Sequence, residues 1–247
     1  MPVSMNLKLT IEYDGTDYHG WQVQPHGRTI QEILELALGE ILRERVRLRA
    51  SGRTDAGVHA AGQVANFTTS RPVELWRLQR GVNALTPPDI VVREVEQVPE
   101  SFDARRNARS RLYEYRIWNQ PWPSALQRRF SFHVHAPLEL AAMKEAIAFL
   151  EGEHDFSSFR AAGCDAAHPV RKIYNNTLLR EGDLVVYRIE ANAFLRHMVR
   201  NLVGTLLEVG CGERTPARFS DLLKARDRTL AGPTAPPRGL FLKEVKY

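Results

Sequence analysis

Thr29-Ile30-Gln31-Glu32-Ile33-Leu34-Glu35-Leu36-Ala37-Leu38-Gly39-Glu40-Ile41 and the following Val46-Arg47-Leu48-Arg49-Ala50 decide the fold, because the spacing of apolar side chains changes between them. In the first run Ile30, Ile33, Leu34, Ala37, Leu38 and Ile41 recur at helical spacing, and Thr29 with Glu32 forms a capping-box pattern. The expectation is a helix with one apolar face laid on a sheet. The second run alternates apolar and basic residues and reads as a half-buried strand. Working outward, Asn6 to Tyr13 alternates as a strand, and Asp14-Gly15-Thr16-Asp17 makes a turn into a polar loop around Gln24-Pro25-His26-Gly27. Gln63 to Thr68 reads as a strand, Pro72 to Asn83 as a helix and Ile90 to Val98 as a strand, giving a β-α-β-β-α-β order.

The remainder repeats that order without visible sequence self-similarity. Arg111 to Trp118 alternates as a strand, and Leu138 to Leu150 has helical spacing. Lys172 to Leu179 and Leu184 to Ala191 form a hairpin through Glu181-Gly182-Asp183. Helices are expected from Phe194 to Val209 and from Pro216 to Ala225, and a strand from Leu240 to Val245. The expected fold class is α+β: two ferredoxin-like, split β-α-β halves, residues 1–108 and 109–247, forming one extended, mostly antiparallel sheet with helices on one face.

Composition narrows the function. The chain has 247 residues, a net charge of +5 and a pI near 9.4, a balance that favours a polyanionic partner. Of its 34 basic residues 28 are arginine, whose flat fork matches phosphate and stacks on bases, although a GC-rich coding sequence also favours arginine. Arg105, Arg106, Arg109, Arg111 and Arg116 lie close together with Tyr113, Tyr115 and Trp118. Such interleaving suits a surface that tracks a nucleic-acid backbone and stacks its bases, and it equally suits a solvated basic strand face. Cys164 and Cys211 are too few for a disulfide framework, and no long apolar span or signal-like N-terminus is read. The cytoplasm is therefore the expected location. His133 with His135, and Cys164 with His168, lack a third and fourth ligand at zinc-like spacing, and no phosphate-binding or dinucleotide glycine loop occurs.

Chemistry concentrates at Gly52-Arg53-Thr54-Asp55-Ala56-Gly57-Val58-His59-Ala60, where one carboxylate stands among small residues after a strand-like segment. Catalytic groups are often carried on loops held by a rigid sheet. Thr-Asp-Ala-Gly is also ordinary turn chemistry, so the loop alone does not separate a reactive carboxylate from a turn. On the helix expected from Phe194, Arg196 and Arg200 sit one turn apart at the edge of the apolar arc. A half-covered guanidinium there either pairs with a carboxylate, for which Asp55 is a candidate, or snorkels to water. Tyr113 can face a base or pack with Tyr115 and Ile117 on the sheet.

The Asp55 stretch, Ala108-Arg109-Ser110-Arg111-Leu112-Tyr113-Glu114-Tyr115, Asp155-Phe156-Ser157-Ser158-Phe159-Arg160, Asn192-Ala193-Phe194-Leu195-Arg196-His197-Met198-Val199-Arg200-Asn201 and the closing Gly239-Leu240-Phe241-Leu242 occur in this order. Together they resemble the motifs of the tRNA pseudouridine synthase A (TruA) family, over nearly the whole chain. The resemblance implies the pseudouridine synthase fold and an enzyme that turns uridines 38, 39 and 40 of the tRNA anticodon stem-loop into pseudouridine without cofactor or metal. It also implies a homodimer. By resemblance Asp55 is the nucleophile, Tyr113 lies against the uracil ring, Arg200 pairs with the aspartate, Arg53 enters the stack when the target nucleotide swings out, and Leu240 lines an apolar pocket. Arg109 and Arg111 belong to the second motif as substrate-binding residues. The loop Gly163-Cys164-Asp165-Ala166-Ala167-His168-Pro169 departs from the family by carrying an acid and alanines where a more polar segment is usual. A passive RNA-binding module is the alternative, and a carboxylate at the centre of the site argues against it, since binding phosphate gains nothing from an anion.

Overall fold

A computed structural model describes residues 4–164 and 166–247. The chain is an α+β protein. In order it runs through β1 (Met5–Tyr13), α1 (Ile30–Leu42), β2 (Arg49–Ala50), β3 (His59–Thr69), α2 (Leu75–Leu85), β4 (Ile90–Val98), β5 (Ser110–Trp118) and β6 (Phe132–His133). It continues through α3 (Leu140–Ala148), β7 (Gly152–Asp155), β8 (Val170–Glu181), β9 (Leu184–Ala191), α4 (Met198–Gly210), α5 (Pro216–Ala225) and β10 (Leu240–Lys246). Two compact units result, Met1–Arg109 with Phe241–Tyr247, and Ser110–Leu240, so that nearly all of the closing strand belongs with the first unit rather than with the sequence that precedes it.

In the first unit β1 pairs antiparallel with β3 on one side and β4 on the other, and β10 joins β3 in parallel through Phe241 opposite His59 and Leu242 opposite Ala60. Alternation along β1 buries Leu7, Leu9, Ile11 and Tyr13 and turns Lys8, Thr10 and Glu12 to the other face. Helix α1 starts where the capping pattern places it: the Thr29 hydroxyl accepts from the Glu32 N–H at 3.4 Å. Its buried side chains are Ile30, Leu34, Ala37, Leu38 and Leu42, and α2 adds Leu78 and Val82.

The strand expected over 46–50 is reduced to Arg49–Ala50, although Val46 and Leu48 are buried and their arginine neighbours exposed. The burial pattern held, but the backbone found other partners. Leu48 N–H donates to the Glu35 carboxylate at 2.9 Å, and its carbonyl accepts from the Gln31 amide at 3.2 Å, so α1 takes over the bonds of a sheet ladder.

In the second unit β9 lies between β5 and β8, and β7 pairs with β8, all antiparallel, while the short β6 runs parallel to β5. Tyr115 opposite Tyr187, and Ile117 opposite Val185, are fully buried pairs on one face. Helices α3, α4 and α5 pack on one another, and α4 is buried on almost every side.

The helix expected from Phe194 begins at Met198, and this corrects the placement of Arg196. His197 takes a left-handed conformation at φ 61°, and the segment before it is held elsewhere: Phe194 stands edge-on to Tyr113 at 5.0 Å, and the Arg196 carbonyl accepts from Ala161 N–H at 3.0 Å. Arg196 is exposed ahead of the helix rather than one turn from Arg200. Phe194 and Leu195 continue the apolar spacing of the helix, but Phe194 packs on Tyr113 and the left-handed His197 breaks the backbone before α4. Among the described residues no helix is long and apolar enough to cross a membrane.

Candidate active site

Asp55 sits in the first unit on the loop between β2 and β3, half-buried, between exposed Arg53 and exposed Ala56. Val58 N–H donates to the Asp55 carbonyl at 3.1 Å, closing a turn in which Gly57 takes φ 74°, a value that side chains disfavour. The turn reading and the reactive-loop reading therefore describe one object. What sequence reading missed is the second chain segment that grips it. Trp21 N–H donates to the Thr54 carbonyl at 3.1 Å, Gly57 N–H to the Tyr18 carbonyl at 3.3 Å, and the Tyr13 and Thr54 hydroxyls share a buried hydrogen bond of 2.7 Å. Gly20, at φ 86°, lies so close that a Cβ there would stand 2.6 Å from the Thr54 carbonyl oxygen.

That gripping segment is itself anchored. The Tyr18 hydroxyl donates to Asp89 at 2.5 Å, and burial together with the Asp89 carboxylate pushes its pKa well above the usual tyrosine value. Gly15 N–H donates to Nδ1 of buried His59 at 3.1 Å, and the His59 ring stacks on Phe241 of β10 at 4.6 Å. Burial also pushes the Tyr13 hydroxyl up to about 12, so it stays protonated and able to donate at neutral pH. The carboxylate thus projects from a backbone fixed on both flanks, the condition for a reacting group that must not wander.

The second unit holds Tyr113, Arg111, Arg200 and Leu240. Tyr113 lies half-buried on β5, and Arg111 donates to the Asn192 carbonyl at 2.8 Å, so the 108–115 and 192–201 motifs meet twice, once through rings and once through this bond. Arg200, near the start of α4, donates from Nε to the Ala235 carbonyl at 2.7 Å, while Ala235 N–H returns a bond to the Arg200 carbonyl at 3.1 Å. Burial pushes the Tyr115 hydroxyl above its usual pKa, against the pull of the Arg200 and Arg238 charges, and that hydroxyl donates to Pro236 at 2.8 Å. Asn201, fully buried, donates to the Phe159 carbonyl at 2.8 Å and accepts from Thr234 at 2.6 Å. The strap 232–239 leading to buried Leu240 is therefore bonded to α4 at several points.

The basic and aromatic stretch around β5 is not one open stacking face. Tyr115 is buried, and Arg116 is held by buried Glu114 at 2.9 Å, which also pairs with Arg188 at 2.7 Å. Arg109 remains exposed, as do Arg105 and Arg106 on the turn whose N–H groups are capped by Asp103. The 155–160 motif is structural: Phe156 and Phe159 are fully buried, and Ser158 donates to the Leu222 carbonyl at 2.6 Å. Burial opposes ionisation of Asp155, but the Ser157 bonds and the Arg226 and Arg160 charges outweigh it and hold the carboxyl below the usual range. Asp165 of the departing loop lies outside the described residues, among which no group of three or more His, Cys, Asp or Glu side chains converges as a metal set. His133 Nε2 instead contacts the Gln120 carbonyl at 2.8 Å.

The sequence profile of a family described as tRNA pseudouridine synthase matches residues 9–105 and 146–247. The chain belongs to the tRNA pseudouridine synthase family. As a member it is an isomerase that acts on uridine in tRNA. The tRNA pseudouridine synthase A of Myxococcus xanthus is 50% identical over 98% of this chain and 91% of its own length. Those of Pelobacter propionicus and Geobacter sulfurreducens are 48% and 47% identical, each over 98% of this chain and 99% of their own. Among solved structures, an H/ACA RNP bound to a substrate RNA containing 2'-deoxyuridine aligns at TM-score 0.38 and 16% identity, over 81% of this chain and 44% of that chain, a likeness too weak to add to the assignment. The profile covers the Asp55 loop and the Arg200 helix of this synthase, while Arg109, Arg111 and Tyr113 fall between its two matched segments.

Proposed function

We propose that this synthase isomerises uridines 38, 39 and 40 of the tRNA anticodon stem-loop with Asp55 as its nucleophile. The observation that supports this most is the Asp55 loop itself, a half-buried carboxylate on a backbone bonded from two sides, with exposed Arg53 beside it. The reaction breaks the bond between N1 of uracil and C1′ of ribose and forms one between C5 and C1′. A proton leaves C5 and N1 gains one, so mass and oxidation state are unchanged. An aspartate can serve this exchange because the departing uracil is a stable anion when hydrogen-bonded.

The target base is stacked and paired in its stem, and turning it out costs a few kcal/mol, least where pairing is weak. Arg53 has the reach to fill the gap and offset part of that cost. Tyr113 offers its ring to the extruded uracil and its hydroxyl to proton movement at C5. Arg200 is the charge partner of the aspartate, Leu240 lines the apolar pocket, and Arg109 and Arg111 contact the RNA. The working form is a homodimer in the cytoplasm, since a small protomer must hold an elongated tRNA. Replacement of Asp55 by Asn tests the central role: with anticodon stem-loop RNA, the variant should form no pseudouridine by chemical derivatisation yet bind with Kd within about threefold of the parent. Turnover at the parent rate refutes it.

A further inference from the structure

The segment Tyr18–Arg28 borders the Asp55 loop and has no part in the roles above. Its inner end is the strand of backbone that grips residues 54–57 through Tyr18, Gly20 and Trp21. From there the chain turns outward, and Gln22, Gln24, His26 and Arg28 are exposed, with no acidic residue between Gln22 and Arg28.

This outward loop is built rather than slack. The Gln24 amide donates to the His19 carbonyl at 2.6 Å, Val23 N–H donates to the Gln31 side chain at 3.2 Å, and the first turn of α1 donates back from Ile30 to Gly20 at 3.2 Å and from Gln31 to Trp21 at 3.0 Å. At its end the Arg28 guanidinium lies 5.5 Å from the centre of the Tyr18 ring. Among the described residues no carboxylate lies within ion-pair distance of Arg28. An arginine held over an aromatic ring keeps its outer N–H donors free, and its planar fork fits a phosphate diester. A pre-ordered loop also loses little entropy when it binds.

We propose that the loop Gln22–Arg28 binds the ribose-phosphate backbone of the RNA strand beside the target uridine, with Arg28 on a phosphate. This rests on the reading of Asp55 as the reacting group, because the loop is placed relative to the substrate by residues 18–21 just before it, whose backbone contacts residues 54–57. The loop then acts on how RNA is held, and the chemistry is left to Asp55.

The test is Arg28→Gln, made in the active enzyme and in the Asp55→Asn background, with anticodon stem-loop RNA titrated over a series of salt concentrations. Kd should rise about tenfold, as for loss of one charge-assisted hydrogen bond. The slope of log K against log salt should shrink by about 0.7 to 0.9, the share of one phosphate contact. The rate at saturating RNA should not change, and Arg28→Lys should recover the slope while leaving part of the affinity lost. Arg218→Gln, which removes the same charge from an exposed position on α5, should leave the slope as it was. The proposal is overturned if Arg28→Gln keeps the parent Kd and slope, or changes them no more than Arg218→Gln does. Turnover by Asp55→Asn would instead remove the reading of Asp55, and the binding data in that background would still report on the loop by themselves.

Discussion

Replacing Gly20 by alanine separates a grip on the Asp55 backbone from mere proximity. At φ 86° any L side chain adds strain of about 1–2 kcal/mol. The new methyl group would also stand 2.6 Å from the Thr54 carbonyl oxygen, 3.0 Å from the Asp55 carbonyl carbon and 3.1 Å from the Ala56 nitrogen, all backbone atoms that cannot rotate away. Ordinary contact begins near 3.4 Å, so one of the two segments must retreat by about 0.8 Å. Such a retreat weakens the bonds from Trp21 to Thr54 and from Gly57 to Tyr18, about 1 kcal/mol each. The expected loss is about 2–4 kcal/mol of stability, a fall in Tm of roughly 4–16 °C for a chain of this size. A displacement on the ångström scale costs about a hundredfold in rate where reacting atoms must be aligned. Thermal melting and single-turnover pseudouridine formation at saturating RNA measure the two quantities. Gly212→Ala is the control, since Gly212 has φ 78° with nothing within 4 Å of an added Cβ, and it should lower Tm while leaving the rate intact. Gly20→Ala with the parent single-turnover rate would show that residues 18–21 do not position the carboxylate.

The buried Tyr13–Thr54 hydroxyl pair gives a second test: Tyr13→Phe or Thr54→Val alone should cost about 1–2 kcal/mol in urea unfolding, and the double variant less than the sum, with a coupling of about 1 kcal/mol. Additive losses would mean that the two hydroxyls do not support each other. Asp155 predicts a pH dependence. Its folded pKa lies below the unfolded value, so its contribution is present above about pH 4 and is lost as pH falls through the folded value. Asp155→Asn should therefore make Tm fall less steeply with acid than in the parent, and an identical slope would contradict the role given to the Ser157 and Arg226 contacts.

Elements whose ends carry their own local chemistry were legible in the sequence. Helix α5 runs from Pro216 to Ala225 as expected, with Thr215 accepting from Arg218 N–H and proline at the first position, and β4 covers the expected Ile90–Val98, although a register shift at Arg93 moves the buried positions from Ile90 and Val92 to Val95. Where residues satisfy themselves against distant partners, periodicity misled. Leu48 gives its backbone bonds to Gln31 and Glu35 of α1, and Phe194 packs on Tyr113, a residue far earlier in the chain. The short β6 and β7 are too brief to show any period. Asp55 could be singled out because glycines, a basic neighbour and a preceding strand pattern all lie within ten residues. Its clamp could not, because Tyr13, Tyr18 and Trp21 reach the loop across a long sequence separation, and such contacts leave no local pattern.

The same contrast governs how the arginines should be counted. Sequence proximity groups Arg105, Arg106, Arg109, Arg111 and Arg116 as one basic stretch, but only Arg111 and Arg116 lie on β5, where alternation sends them to opposite faces. Arg116 is neutralised by buried Glu114, and Arg111 donates to the Asn192 carbonyl, where it ties two motifs together. A buried Glu114 serving both Arg116 and Arg188 needs those cations for its own stability, since a carboxylate left alone at that depth would be costly. Arg28 differs in kind. It stands apart from the cluster in sequence, rests on the Tyr18 ring with no carboxylate within ion-pair distance among the described residues, and the loop that carries it continues from residues 18–21, which are bonded to Thr54 and Gly57. Charge that is locally compensated adds to the fold, whereas charge held in place without compensation is what a polyanion can use, so the second kind is the better guide to where RNA lies.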